Sequence, residues 1–77
     1  MPYYSVYISG GADQVEAGKK ARNVLGGKAA DYTGGTNLFY VQRTYDKATL
    51  GQNVRSVVGN DYEVIVRRIS KAEFFGR

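Results

Sequence analysis

The side chains best equipped for contact chemistry in this chain are two tyrosines, Tyr7 and Tyr40, and a spread of cations. Ring faces stack on nucleobases or anchor protein interfaces, while guanidinium and ammonium groups hold phosphates or carboxylates. The candidate contact set is Tyr7, Tyr40, Arg43, Arg67, Arg68 and Lys71, with Arg22 and Arg55 as a symmetric pair one helix turn beyond two glycines. The 77 residues contain neither His nor Cys. That removes disulfides, thiolate nucleophiles, His-based triads and Cys or His metal sites together. The carboxylates form no acid/base pair: Asp13 and Asp46 read as helix caps, and Asp31, Asp61 and Glu63 fall at strand starts or edges. "SGGAD" (9–13) lies where phosphate loops form, but lacks G-x-G-x-x-G and carries an acid at the helix start. "AGKKA" (17–21) falls in mid-helix without the Ser or Thr of a P-loop. The expectation is a non-enzymatic binding module with no metal and no cofactor.

The elements that must position these residues are announced by a repeat. Sliding the chain by 33 positions sets Tyr7 on Tyr40, Asp13 on Asp46, Gly18 on Gly51, Arg22 on Arg55, Val24 on Val57 and Gly26 on Gly59. Like pairs fill the gaps: Val6 with Phe39, Ile8 with Val41, Ala17 with Leu50, Ala21 with Val54. Each copy starts as a strand, 3–9 and 38–45, rich in aromatic and β-branched residues. An Asp at the N-cap position follows, then apolar residues at helical spacing, then a glycine stop. A further strand closes each half, weak at 28–33 and strong at 61–69, with Gly-Gly at a hairpin turn in "TGGT" (33–36).

The order predicted is β-α-β-β-α-β. It implies an α+β, ferredoxin-like domain over residues 1–77: a four-stranded antiparallel sheet, two helices on one face and a pseudo-two-fold between halves 3–33 and 36–69. The mid-helix glycines Gly18 and Gly51 imply close packing of one helix on the other. Strand parity turns Tyr4, Val6, Ile8, Phe39 and Val41 toward the helices. It turns Tyr3, Ser5, Tyr7 and Ser9 the other way, with Leu38, Tyr40 and Gln42, and leaves Tyr7 and Tyr40 side by side on an uncovered face. On the last strand Tyr62, Val64 and Val66 face in, and Glu63, Ile65 and Arg67 face out. The tail 70–77, with Phe74 and Phe75, is expected to pack at the edge of the core; the alternative folds it back across the open sheet with a Phe against Tyr7 or Tyr40.

Net charge is +4, and seven of the residues are Tyr. This balance favours acidic partners. "VYISGG" (6–11) is similar to the first-strand signature of the RNA-recognition motif, with Tyr7 at the stacking position. "NLFYVQR" (37–43) keeps Tyr40-Val41 but lacks that family's basic-Gly-aromatic start, and Arg43 stands where an aromatic is expected. SPOR domains share the element order and the internal repetition. The first functional expectation is single-stranded nucleic acid binding on the open sheet face, Tyr7 and Tyr40 stacking bases and the cations holding phosphates. The alternative is a protein-binding inhibitor or adaptor, resembling those of phages and mobile elements, that occupies an acidic or nucleic-acid-binding surface of its partner. A third is a subunit joined through an exposed strand edge. The start "MPYYSVYISGG" lacks a signal-peptide pattern, and the longest aliphatic run, "VIV" (64–66), is too short to span a membrane. A soluble, cytoplasmic protein is expected.

Overall fold

Period-2 alternation in "YYSVYIS" produces β1 (Tyr3–Ser9), whose Tyr4, Val6 and Ile8 are buried on one side. β3 (Leu38–Gln42) does the same with Phe39 and Val41. A computed structural model describes residues 2–29, 37–42 and 46–75 of the chain. The helices are α1 (Gln14–Leu25) and α2 (Lys47–Val58). The Asp13 and Asp46 side chains accept from the N–H groups of Glu16 and Thr49 at 3.1 and 2.9 Å, satisfying donors that a helix start leaves unpaired. Gly26 and Gly59, both at positive φ, close the two helices by donating to the carbonyls of Arg22 and Arg55. The repeat therefore survives at the level of burial. Ala17, Gly18 and Ala21 are the buried residues of α1, and their 33-shifted equivalents Leu50, Gly51 and Val54 are those of α2.

The expected plan of four strands and two helices needs correction. Three strands span the antiparallel sheet: β3, β1 in the centre, and β4 (Glu63–Ile69). Among the described residues, the second predicted strand contributes a two-residue ladder on the outer side of β3, β2 (Lys28–Ala29), pairing Lys28 with Tyr40 and Ala29 with Phe39. Lys and Ala are weak strand formers, so Lys28–Ala29 are less suited to a strand than "EVIVRRI". Residues 30–33 of that strand, the turn 33–36 and the end of the third predicted strand at 43–45 lie outside the described residues. Among the described residues the two halves are thus unequal, and a third helix, α3 (Lys71–Phe75), follows β4. Its start is a capping arrangement in "SKAE": the Glu73 N–H donates to Ser70 Oγ at 3.0 Å and the Phe74 N–H to the Ser70 carbonyl at 3.0 Å.

The core lies between one face of the sheet and the pair α1–α2. Tyr4, Val6, Ile8, Phe39, Val41 and Val64 from the sheet meet Ala17, Ala21, Leu50 and Val54 from the helices. Gly51 shows no tight approach to the other helix. A Cβ there would sit 3.9 Å from Val66 Cγ2 and 3.6 Å from Arg55 Nη1, an ordinary contact. The tight crossing is at Gly27 instead. A Cβ there would lie 2.8 Å from the Phe39 ring, 2.9 Å from the Tyr40 carbonyl oxygen and 2.9 Å from Val41.

Candidate functional site

The sheet face turned away from α1 and α2 is organised in rows by the strand register. Leu38, Tyr7 and Ile65 form one row, Tyr40, Ser5 and Arg67 the next, and Gln42, Tyr3 and Ile69 the third. Tyr40 is therefore opposite Ser5, not Tyr7; the two candidate stacking rings are diagonal neighbours rather than side by side.

α3 divides this face. Leaving β4 after Ile69, it turns back over the third row and packs its aromatic rings there. Phe74 lies 4.7 Å from the Tyr3 ring and 6.4 Å from the Tyr40 ring, and Phe75 is edge-on to Tyr3 at 5.9 Å. Lys28 of β2 places its ammonium 4.9 Å from the Phe74 ring centre and 5.6 Å from that of Phe75. Cation–π attraction of this kind is worth about 0.5–1 kcal/mol at an exposed site. Ile69, on the same face, is buried, and Ser5 in the middle row is only 3% exposed. Packing at the edge of the core is thus not where residues 70–75 go; they follow the alternative and cover the far side of the sheet, with Phe74 against Tyr3 and Tyr40. The physical reason is local. A helix starting at Ser70 cannot continue the line of β4, and the nearest apolar surface is the outward patch of Tyr3 and Ile69 in the third row and Tyr40 in the second.

The first row remains open. Tyr7 is 41% exposed and Ile65 46%, with Leu38 half-buried beside Tyr7. The strip is bounded at one end by Ser9 and Glu63, where Ser9 Oγ donates to Glu63 Oε1 at 3.4 Å. Arg67 lies toward the other end, and its Nη2 stands 3.8 Å from Glu73 Oε2 of α3. A surface pair at that separation contributes little and leaves the guanidinium available. Beneath the strip the loop after β1 is braced by Tyr62, whose hydroxyl accepts from the Asp13 N–H and donates to the Asp13 carbonyl, each at 3.2 Å.

The other candidate residues do not converge on the strip. Arg68 pairs in register with Tyr4 and belongs to the helix-side face. Lys71 is exposed at the start of α3, and Arg43 lies outside the described residues. Arg22 is half-buried in the last turn of α1. Arg55 joins Lys47 on the rim of an open groove of about 270 Å³ between α2 and β4, lined also by Ala48, Gly51, Val64 and Val66. Sequence parity placed Tyr3 on this face, but sequence reasoning missed Lys28 and α3 as parts of it, although the S-x-x-E of "SKAE" marks a helix start. Among the described residues no group of three acidic, His or Cys side chains could hold a metal, and no helix is long and apolar enough to cross a membrane. Compared with known protein families, curated proteins and solved structures, the chain finds no match in any of the three.

Proposed function

We propose that the chain is a non-enzymatic protein-binding module, an inhibitor or adaptor, that contacts its partner through the Leu38–Tyr7–Ile65 strip. The observation that carries this reading is the placement of Phe74 against Tyr3 and Tyr40. Stacking of single-stranded nucleic acid on this face needs successive open rings, and α3 occupies one of the two. What stays exposed is a central tyrosine flanked by aliphatic side chains, the composition of an interface anchor rather than of a base ladder. Arg67 beside the strip and the net charge of +4 suit a partner with an acidic surface. The proposal carries with it the cytoplasmic setting read from the sequence.

The test pairs two measurements. Fluorescence anisotropy with mixed-sequence single-stranded DNA and RNA should show no binding that depends on Tyr7. Capture from a lysate of the source organism should recover a protein that survives nuclease treatment and is lost with Tyr7→Asp. Oligonucleotide binding at low salt that disappears in Tyr7→Ala would overturn the reading in favour of nucleic acid.

A further inference from the structure

The open strip ends at Ile65, and Ile65 lies on a strand whose outer edge has no partner among the described residues, since the sheet order is β2-β3-β1-β4. β4 is seven residues long and carries the aliphatic stretch Val64-Ile65-Val66. A long strand edge of this kind is a template for pairing with another strand. α3 turns from the end of β4 toward Tyr3, Tyr40 and Lys28, away from that edge, so it does not shield it.

The edge is also self-complementary in charge. On the open face β4 reads Glu63, Ile65, Arg67. A two-fold axis through Ile65 sets Glu63 opposite the second copy's Arg67, twice over, with Ile65 on Ile65 between them. Other centres do worse. A two-fold on Glu63 or on Arg67 opposes like charges, and one on Val66 sets Arg67 against Ile65 and Arg68 against Val64. On the helix side the axis through Ile65 brings Val64 opposite Val66. Lys47 and Arg55 on the α2 flank of the groove are cations that such an axis would also bring toward their counterparts, beyond the in-register pairs. Salt at physiological strength screens those more distant charges more than the directly opposed pairs.

We infer that the chain forms a two-fold dimer in which β4 pairs antiparallel with β4 of a second copy, centred on Ile65. The two sheets become one. The two exposed strips join into a continuous row, Leu38–Tyr7–Ile65 followed by Ile65–Tyr7–Leu38 of the second copy, so the face offered to a partner is doubled and symmetric. The dimer itself does not depend on what that face binds.

Sedimentation equilibrium of the full chain, from micromolar to millimolar, reads this without any ligand. The apparent mass should rise from one chain to two. By symmetry each single swap, Glu63→Arg or Arg67→Glu, turns two attractions into two repulsions and should weaken the dimer by about tenfold. The double swap Glu63→Arg/Arg67→Glu should return affinity to within about threefold of the parent. Far-UV circular dichroism checks that each variant is folded; both side chains are exposed. A one-chain mass at every concentration overturns the inference. So does a dimer indifferent to the single swaps, or one that the double swap fails to restore. Ile65→Asp, which opposes two carboxylates at the axis, gives the independent reading: loss of the dimer supports the inference and its persistence overturns it.

Discussion

Phe74→Ala removes the ring that holds α3 to the sheet. Phe74 is half-buried, so about half of the ~1.5–3 kcal/mol of a fully buried Phe is at stake. Its contact with Tyr3 at 4.7 Å adds about 0.5 kcal/mol or more, and the Lys28 ammonium at 4.9 Å about 0.5 kcal/mol. The sum is about 2 kcal/mol, which for a domain of this size lowers the melting temperature by about 10 °C. A five-residue helix has no stability of its own, so losing the anchor should release α3 as a unit and uncover Tyr3 and Tyr40. Urea and thermal denaturation followed by circular dichroism measure the loss. The chain has no Trp, so acrylamide quenching of its tyrosine fluorescence measures the uncovering directly. Phe75, 59% exposed, is the internal control: Phe75→Ala should cost less than half as much. A Phe74→Ala protein within about 0.5 kcal/mol of the parent, with unchanged quenching, would refute the docking of α3. Phe75→Ala being the costlier of the two would refute it equally.

Gly51→Ala should stabilise the protein by up to about 1 kcal/mol, because the added methyl meets only ordinary contacts and alanine favours a helix, whereas Gly27→Ala should cost about 1–3 kcal/mol through collision with Phe39, Val41 and the Tyr40 carbonyl; urea denaturation ranks the two. Tyr62→Phe should cost about 0.5–1.5 kcal/mol by stripping the Asp13 backbone of its hydroxyl partner, measured in the same way. The N–H and hydroxyl of Thr49 hold the Asp46 carboxyl below its ordinary 3.8. Its contribution to α2 is therefore present above that value and lost as pH falls through the lower folded-state value. Thermal melts between neutral and strongly acidic pH should show the parent losing this contribution and Asp46→Asn, which caps without ionising, keeping its own.

The two main helices, their caps and the inward faces of β1 and β3 were legible in the sequence because each rests on local chemistry. Asp13 and Asp46 cap whatever tertiary context they meet, and alternation in "YYSVYIS" allows one buried face. The second strand was legible as a weak one, because it opens on Lys28 and Ala29, which disfavour strands, and its pairing depends on its neighbour β3. Gly51 misled because a mid-helix glycine suggests a close approach, whereas a Cβ there would meet only ordinary contacts, Arg55 of its own helix and Val66 of the sheet. α3 was missed although "SKAE" carries a helix-start pattern, since a helix this short is held by tertiary contacts alone. Those contacts, Tyr3, Tyr40 and Lys28, come from three different strands. For the candidate site the consequence is direct. Parity identified Tyr7 and Tyr40 as outward-facing, but register and the return of the chain decide which of them is open.

A photo-reactive phenylalanine analogue in place of Tyr7, activated in cells that naturally make the protein, tests the central claim most directly. The ring stands where the exposed tyrosine stands, in the middle of the Leu38–Tyr7–Ile65 strip. The account predicts a discrete covalent adduct with a protein, unchanged by nuclease and abolished by Ile65→Asp in the same chain. An adduct that nuclease digests, or a protein adduct indifferent to Ile65→Asp, would contradict it.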